Sequence, residues 1–126
     1  MNNLTQRFIS LGAFMMALSV SIGAFGAHAL KASFDTYSQA IFNTAVTYQF
    51  YHALGLLAIA FVLHVKQNSK IKIAGYLMLG SIIVFSGSLY ILAISGIKWL
   101  GAITPIGGTG FVIAWILLIF GVRENQ

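Results

Sequence analysis

An all-α fold, a polytopic bundle of four transmembrane helices, is predicted for this 126-residue chain by three observations. Four apolar stretches, roughly Phe8 to Ala29, Ile41 to Val65, Ile71 to Ser95 and Ile106 to Val122, fill most of it. Crossing about 30 Å of hydrocarbon takes about 20 helical residues, and each stretch approaches or exceeds that length. Composition is the second observation: 59% of residues are hydrophobic and 7% charged, too little polar surface to hold a packed globule of this size in water. The third is that Lys and Arg stand at the ends of the apolar runs. The whole chain, residues 1–126, reads as one transmembrane domain.

The first stretch follows Arg7 and ends at Ala27-His28-Ala29, a small-x-small pattern resembling a signal-peptidase site. A signal core is usually about 7 to 15 residues, and this run is long enough to span the bilayer, so a retained helix is expected. Between Lys31 and Thr44 the apolar Phe34, Tyr37, Ile41 and Phe42 recur at helical spacing among polar residues. This predicts a short interfacial helix before the second span, with the second helix beginning inside it. The third span is Ile71 to Ser95. The Gly96 to Pro105 connection carries Trp99, a residue suited to headgroup depth, and its proline fits the first turn of the last helix, where no intrahelical N–H bond is lost.

Four spans put both termini on the side of the middle connection. That side collects Arg7, Lys66, Lys70, Lys72 and Arg123, against Lys31 and Lys98 opposite. The positive-inside rule therefore predicts cytoplasmic termini, with the other two loops outside. The net charge of +5 is spread along the chain, not gathered on one face, so no nucleic-acid partner is expected. With no cysteine there is no disulfide framework and no thiolate metal site.

Small residues mark the packing faces. Gly12, Met16, Ser19, Gly23 and Gly26 form one seam on the first helix, and Gly107, Gly110, Ala114, Leu117 and Gly121 form another on the last. In lipid, where apolar burial drives little, such seams let backbones approach closely enough for dispersion to hold helices together.

The polar residues inside the spans carry the remaining chemistry. His52 precedes Lys66 by fourteen residues and Ser86 follows Lys72 by fourteen, so both are expected about 21 Å from the middle loop, at one depth. Tyr48 and Gln49 share a helical face with His52 and are expected near the depth of Ser88 and Tyr90. His28 and Thr104, at the outer ends of the first and last helices, border this predicted polar layer. Such groups are costly in lipid unless satisfied, so they are candidates for a site, while interhelical hydrogen bonding at roughly a kcal/mol each is the plainer role.

Four motifs recur here in order: Gly23-Ala24-Phe25-Gly26-Ala27-His28, Thr47-Tyr48-Gln49-Phe50-Tyr51-His52, Phe85-Ser86-Gly87-Ser88-Leu89-Tyr90 and Leu100-Gly101-Ala102-Ile103-Thr104-Pro105-Ile106-Gly107-Gly108. Together they resemble the small membrane-protein family that includes bacterial YwdK and YgdD. The resemblance spans nearly the whole chain. It implies a four-helix protein of the bacterial cytoplasmic membrane and no cofactor or reaction, because the family is one of unknown function.

Three function classes compete. The reading preferred from sequence is a non-enzymatic structural or accessory component that binds a membrane lipid or protein partner, a second copy included, through the outer polar layer. A small transporter or proton-coupled exporter would have to rely on His52 alone, because Asp35 and Glu124 lie outside the spans. A cytochrome needs two axial ligands, and His28, His52 and His64 are expected at different depths. A Ser86 and His52 pair lacks a carboxylate orienter, so no catalytic residue is assigned.

Overall fold

The first three long helices begin where a side chain replaces the missing intrahelical acceptors. In the computed structural model, which describes residues 1–124, α1 runs Asn3–Phe25, with Asn2 accepting from the Thr5 amide at 2.7 Å. A π-helical turn, Gly26–Leu30, extends it. Helix α2 runs Thr36–Val65, capped by Asp35, whose carboxylate accepts from the Ser38 amide at 2.7 Å. Helix α3 runs Ser69–Ser95, capped by Asn68. It stops at Gly96, whose φ of 73° lies in the left-handed region. A 3-10 turn, Lys98–Ala102, leads to α4, Thr104–Arg123, with Pro105 in its first turn.

Among the described residues these four helices are each long and apolar enough to cross a membrane, as predicted. The segment expected as a separate interfacial helix is helical only from Thr36, and there as the opening turns of α2. No glycine or proline breaks α2 before Gly55, so one 30-residue helix forms. At about 1.5 Å per residue it exceeds the hydrocarbon thickness by several turns, which leaves its polar start beyond the apolar slab.

Successive helices are antiparallel neighbours, and α2 and α3 form the central pair. They are 44% buried over their most apolar windows against 22% for α1 and α4, which flank them. The shared core joins Phe8 of α1, Leu56 and Ile59 of α2, Met78 of α3, and Phe111 and Ala114 of α4.

Both predicted seams are contact faces. Gly12, Ser19 and Gly26 are buried on α2, where Phe42 lies so close over Gly26 that an added Cβ would sit 2.1 Å from its ring. Gly107, Gly110, Ala114 and Gly121 are buried on α3, and a Cβ at Gly107 would meet the Phe85 backbone nitrogen at 2.6 Å. Backbone, unlike a flexible side chain, has little freedom to yield there.

At the end of the bundle that holds both termini, the α2–α3 loop fastens the last turn of α4. Lys66 Nζ donates to the Val122 carbonyl at 3.1 Å and also to the Glu124 carbonyl. Asn68 Nδ2 donates to the Gly121 carbonyl at 2.6 Å, and Lys70 pairs with Glu124. Carbonyls that a helix end leaves unpaired are thus satisfied by the neighbouring loop.

Candidate functional site

Most of the predicted polar residues face the helix interfaces, but they form four separate links. Gln49, 3% exposed, joins three helices. Its amide donates to the Met15 carbonyl of α1 at 2.9 Å, and its carbonyl accepts from the Tyr90 hydroxyl of α3 at 2.6 Å. Ser86 donates to the Ala45 carbonyl at 2.7 Å, joining α3 to α2. Ser88 shares a 2.7 Å hydrogen bond with Thr104, which ties α3 to the start of α4.

His52 makes the fourth link, between α2 and α4. Its Nδ1 lies 2.8 Å from the Tyr48 carbonyl, and the Trp115 indole donates to its Nε2 at 3.1 Å. A carbonyl only accepts and an indole N–H only donates, so the network assigns one ring proton, on Nδ1. The imidazole stacks on Phe111, with centroids 3.6 Å apart and planes 14° from parallel. Gly55, one turn along α2, leaves the room into which Trp115 and Met78 pack.

One expectation needs correction. Ser86 is not level with His52; it meets Ala45, two turns nearer the far end of α2, about 10 Å away along the helix. Counting from Lys66 and Lys72 misplaced it because the α2–α3 connection is only Lys66 to Asn68, and Lys72 already lies within α3. His28 is exposed on the π-helical turn and does not join these links. Tyr48 contributes its carbonyl to His52, while its ring is 39% exposed and packs 4.6 Å from Phe85. Among the described residues no three His, Asp or Glu side chains gather as a metal-ligand group.

Trp115, Phe111 and the carbonyls of Met15 and Ala45 were not anticipated. Trp115 is one of only two tryptophans. Its indole N–H is a donor only and seeks an acceptor, although the side chain is 38% exposed, a signal that pairs it with some polar group without saying which.

Two openings lie at the far end, beyond the links. A cleft of ≈ 680 Å³ between the π-helical turn and the start of α2 is lined by Lys31, Phe34, Asp35, Thr36, Gln39 and Asn43, among others. A second, of ≈ 350 Å³, shares Phe34 and Asp35 and reaches Ser95 and Gly96. Asp35 titrates below the usual carboxylate range because the backbone N–H of Ser38, and then its side chain, bond to the charged form. The cleft thus presents a cation, a carboxylate and amides around an aromatic ring.

Residues 22–108 match the family described as "Protein of unknown function (DUF423)". The chain is 47% identical to the UPF0382 membrane protein YwdK of Bacillus subtilis over 114 residues, 89% of this chain and 92% of the relative. It is 44% identical to a UPF0382 membrane protein of Staphylococcus saprophyticus, covering 90% of this chain and 94% of that one. A Staphylococcus aureus UPF0382 membrane protein is 47% identical over 112 residues, 89% and 91% of the two chains. No solved structure matches. Four apolar spans, the full-length agreement with these relatives and the matched motif region lead to one conclusion: the chain is a multi-pass membrane protein belonging to the DUF423 family, whose function is unknown.

Proposed function

We propose that this protein is a non-enzymatic structural or accessory component of the bacterial cytoplasmic membrane, with cytoplasmic termini, that binds a lipid or protein partner at its outer end. The observation that carries the reading is the mutual engagement of the polar layer. Gln49, His52, Ser86, Ser88, Tyr90 and Thr104 are all bonded to a neighbouring helix, as fasteners would be. Interhelical bonds of this kind contribute about 0.6 to 2 kcal/mol each. Ser86 and His52 do not form a nucleophile and base pair, and a second ring proton on His52 would break its bond from Trp115. Both points favour a scaffold over catalysis or proton coupling. The outer cleft, whose polar lining is exposed, is the surface on which a lipid headgroup or partner segment would settle.

The test places a photo-crosslinking residue at Gln39, inside the cleft, and at Phe61, exposed on the span, in native membranes. The reading expects a discrete lipid or protein adduct from Gln39 and only diffuse bulk-lipid labelling from Phe61. Equal, diffuse labelling at both positions would contradict it.

A further inference from the structure

A second lipid-facing feature lies at the other end of the molecule and does not depend on the outer cleft. Helices α1 and α3 both pack on α2, and a crevice runs between them on the lipid side. Its α1 edge is Arg7, Leu11, Met15, Leu18 and Ile22, at steps of four and three. Its α3 edge carries Lys72, Tyr76, Ile83, Gly87 and Tyr90 on one face. In the half away from the termini it widens into a cavity of ≈ 220 Å³, lined almost wholly by apolar atoms of Met15, Leu18, Ile22, Ile83 and Gly87.

The crevice is basic at its terminal end. Arg7 Nη1 donates to the neutral Tyr76 hydroxyl at 2.5 Å, and exposed Lys72 lies one turn nearer the membrane edge on the same face of α3. Among the described residues, no carboxylate pairs with these two cations. The chain has two acidic residues; Glu124 pairs with Lys70, and Asp35 caps α2 at the opposite end.

Gly87 supplies an independent observation. The buried glycines admit a neighbouring side chain or backbone, but a Cβ at half-buried Gly87, or at exposed Gly80 two turns nearer the basic end, would meet nothing within 4 Å. Internal packing does not account for the space beside them. From Tyr76 to Gly87 is about 16 Å of helix, close to the roughly 15 Å of hydrocarbon in one leaflet.

We infer that this crevice binds an anionic glycerophospholipid of the leaflet on the Arg7 side, its phosphate between Arg7 and Lys72 and one acyl chain against Ile83 and Gly87. The cations meet the headgroup charge, Tyr76 holds the guanidinium at the crevice mouth, and the missing side chain at Gly87 receives the chain end.

Native mass spectrometry of the intact protein in mild detergent tests this, with phosphatidylglycerol and phosphatidylcholine of identical chains as probes. Wild-type protein should favour phosphatidylglycerol, whose headgroup is net anionic, by about thirtyfold, the scale expected of two cations near an anionic headgroup. Arg7→Gln with Lys72→Gln should remove that preference, whereas Lys98→Gln with Arg123→Gln, which lowers net charge equally and touches neither the crevice nor the outer cleft, should keep it. Gly87→Leu, entering open space, should leave the melting temperature unchanged and reduce adducts of both lipids. Equal binding of the two lipids by wild type, equal loss from both charge pairs, or unchanged adducts in Gly87→Leu would each overturn the proposal. Should the Arg7 and Lys72 double variant fail to fold, Lys72→Gln alone decides: a weakened preference supports the site and an unchanged one refutes it.

Discussion

The Trp115 indole N–H points at Nε2 of His52 across 3.1 Å, joining α4 to α2 in the middle of the bundle. With Nδ1 on the Tyr48 carbonyl and the ring face on Phe111, the imidazole has both nitrogens and one face occupied. It sits as a wedge between helices.

Substitution at His52 should therefore be read as a packing experiment. His52→Ala leaves the Trp115 N–H without its acceptor and opens a cavity, a loss of about 2 to 4 kcal/mol. His52→Gln can still accept from the indole, and should cost only about 1 kcal/mol. Unfolding by denaturing detergent in mixed micelles measures both. Equal stabilities for the Ala and Gln variants would show that the indole bond contributes nothing.

At Gly107, α4 lies directly against the Phe85 backbone of α3. Gly107→Leu should separate the two helices and destabilise the bundle by more than about 3 kcal/mol, as overpacking against an unyielding neighbour does at its upper range. Gly101→Leu, with its nearest neighbour the Leu92 side chain at 3.9 Å, should cost much less. The same unfolding assay compares them.

Asp35 caps α2 as a carboxylate, and its folded pKa lies below the unfolded value. Its contribution is therefore present above the unfolded pKa, about 4, and is lost as pH falls through the lower folded value. Hydrogen exchange at the Ser38 amide should accelerate relative to a mid-helix amide across that acidic window in wild type. Asp35→Asn, which caps without titrating, should abolish the pH dependence. A pH response that persists in Asp35→Asn would place its origin elsewhere.

The absence of cysteine makes topology accessible. In intact cells an impermeant thiol reagent should label Ser33→Cys and spare Asn68→Cys, in keeping with five cations on the terminal side against two opposite. The reverse pattern would invert the proposed orientation.

The fold was legible because its determinants are one-dimensional. Apolar run length sets a span, and the spacing of Gly12, Ser19 and Gly26 marks a face. The polar layer was legible only as a set of residues. Their partners include the backbone carbonyls of Met15, Ala45 and Tyr48, which every residue type possesses and no motif reveals. The register between α2 and α3 depended on a loop whose flanking lysines are poor markers, because Lys70 and Lys72 already belong to α3 and Lys66 turns to the end of α4. His28 stands at the outer end of α1, where the sequence places it, exposed on the π-helical turn in which Gly26 alone is buried.

The central claim, that the intramembrane polar groups act as fasteners between helices, is tested most directly by nitrogen NMR of selectively labelled His52 in lipid nanodiscs. The account predicts a neutral ring with its proton on Nδ1, and a shift of the Nε2 resonance when Trp115 is changed to Phe. A proton on Nε2, or an Nε2 resonance indifferent to Trp115→Phe, would contradict it.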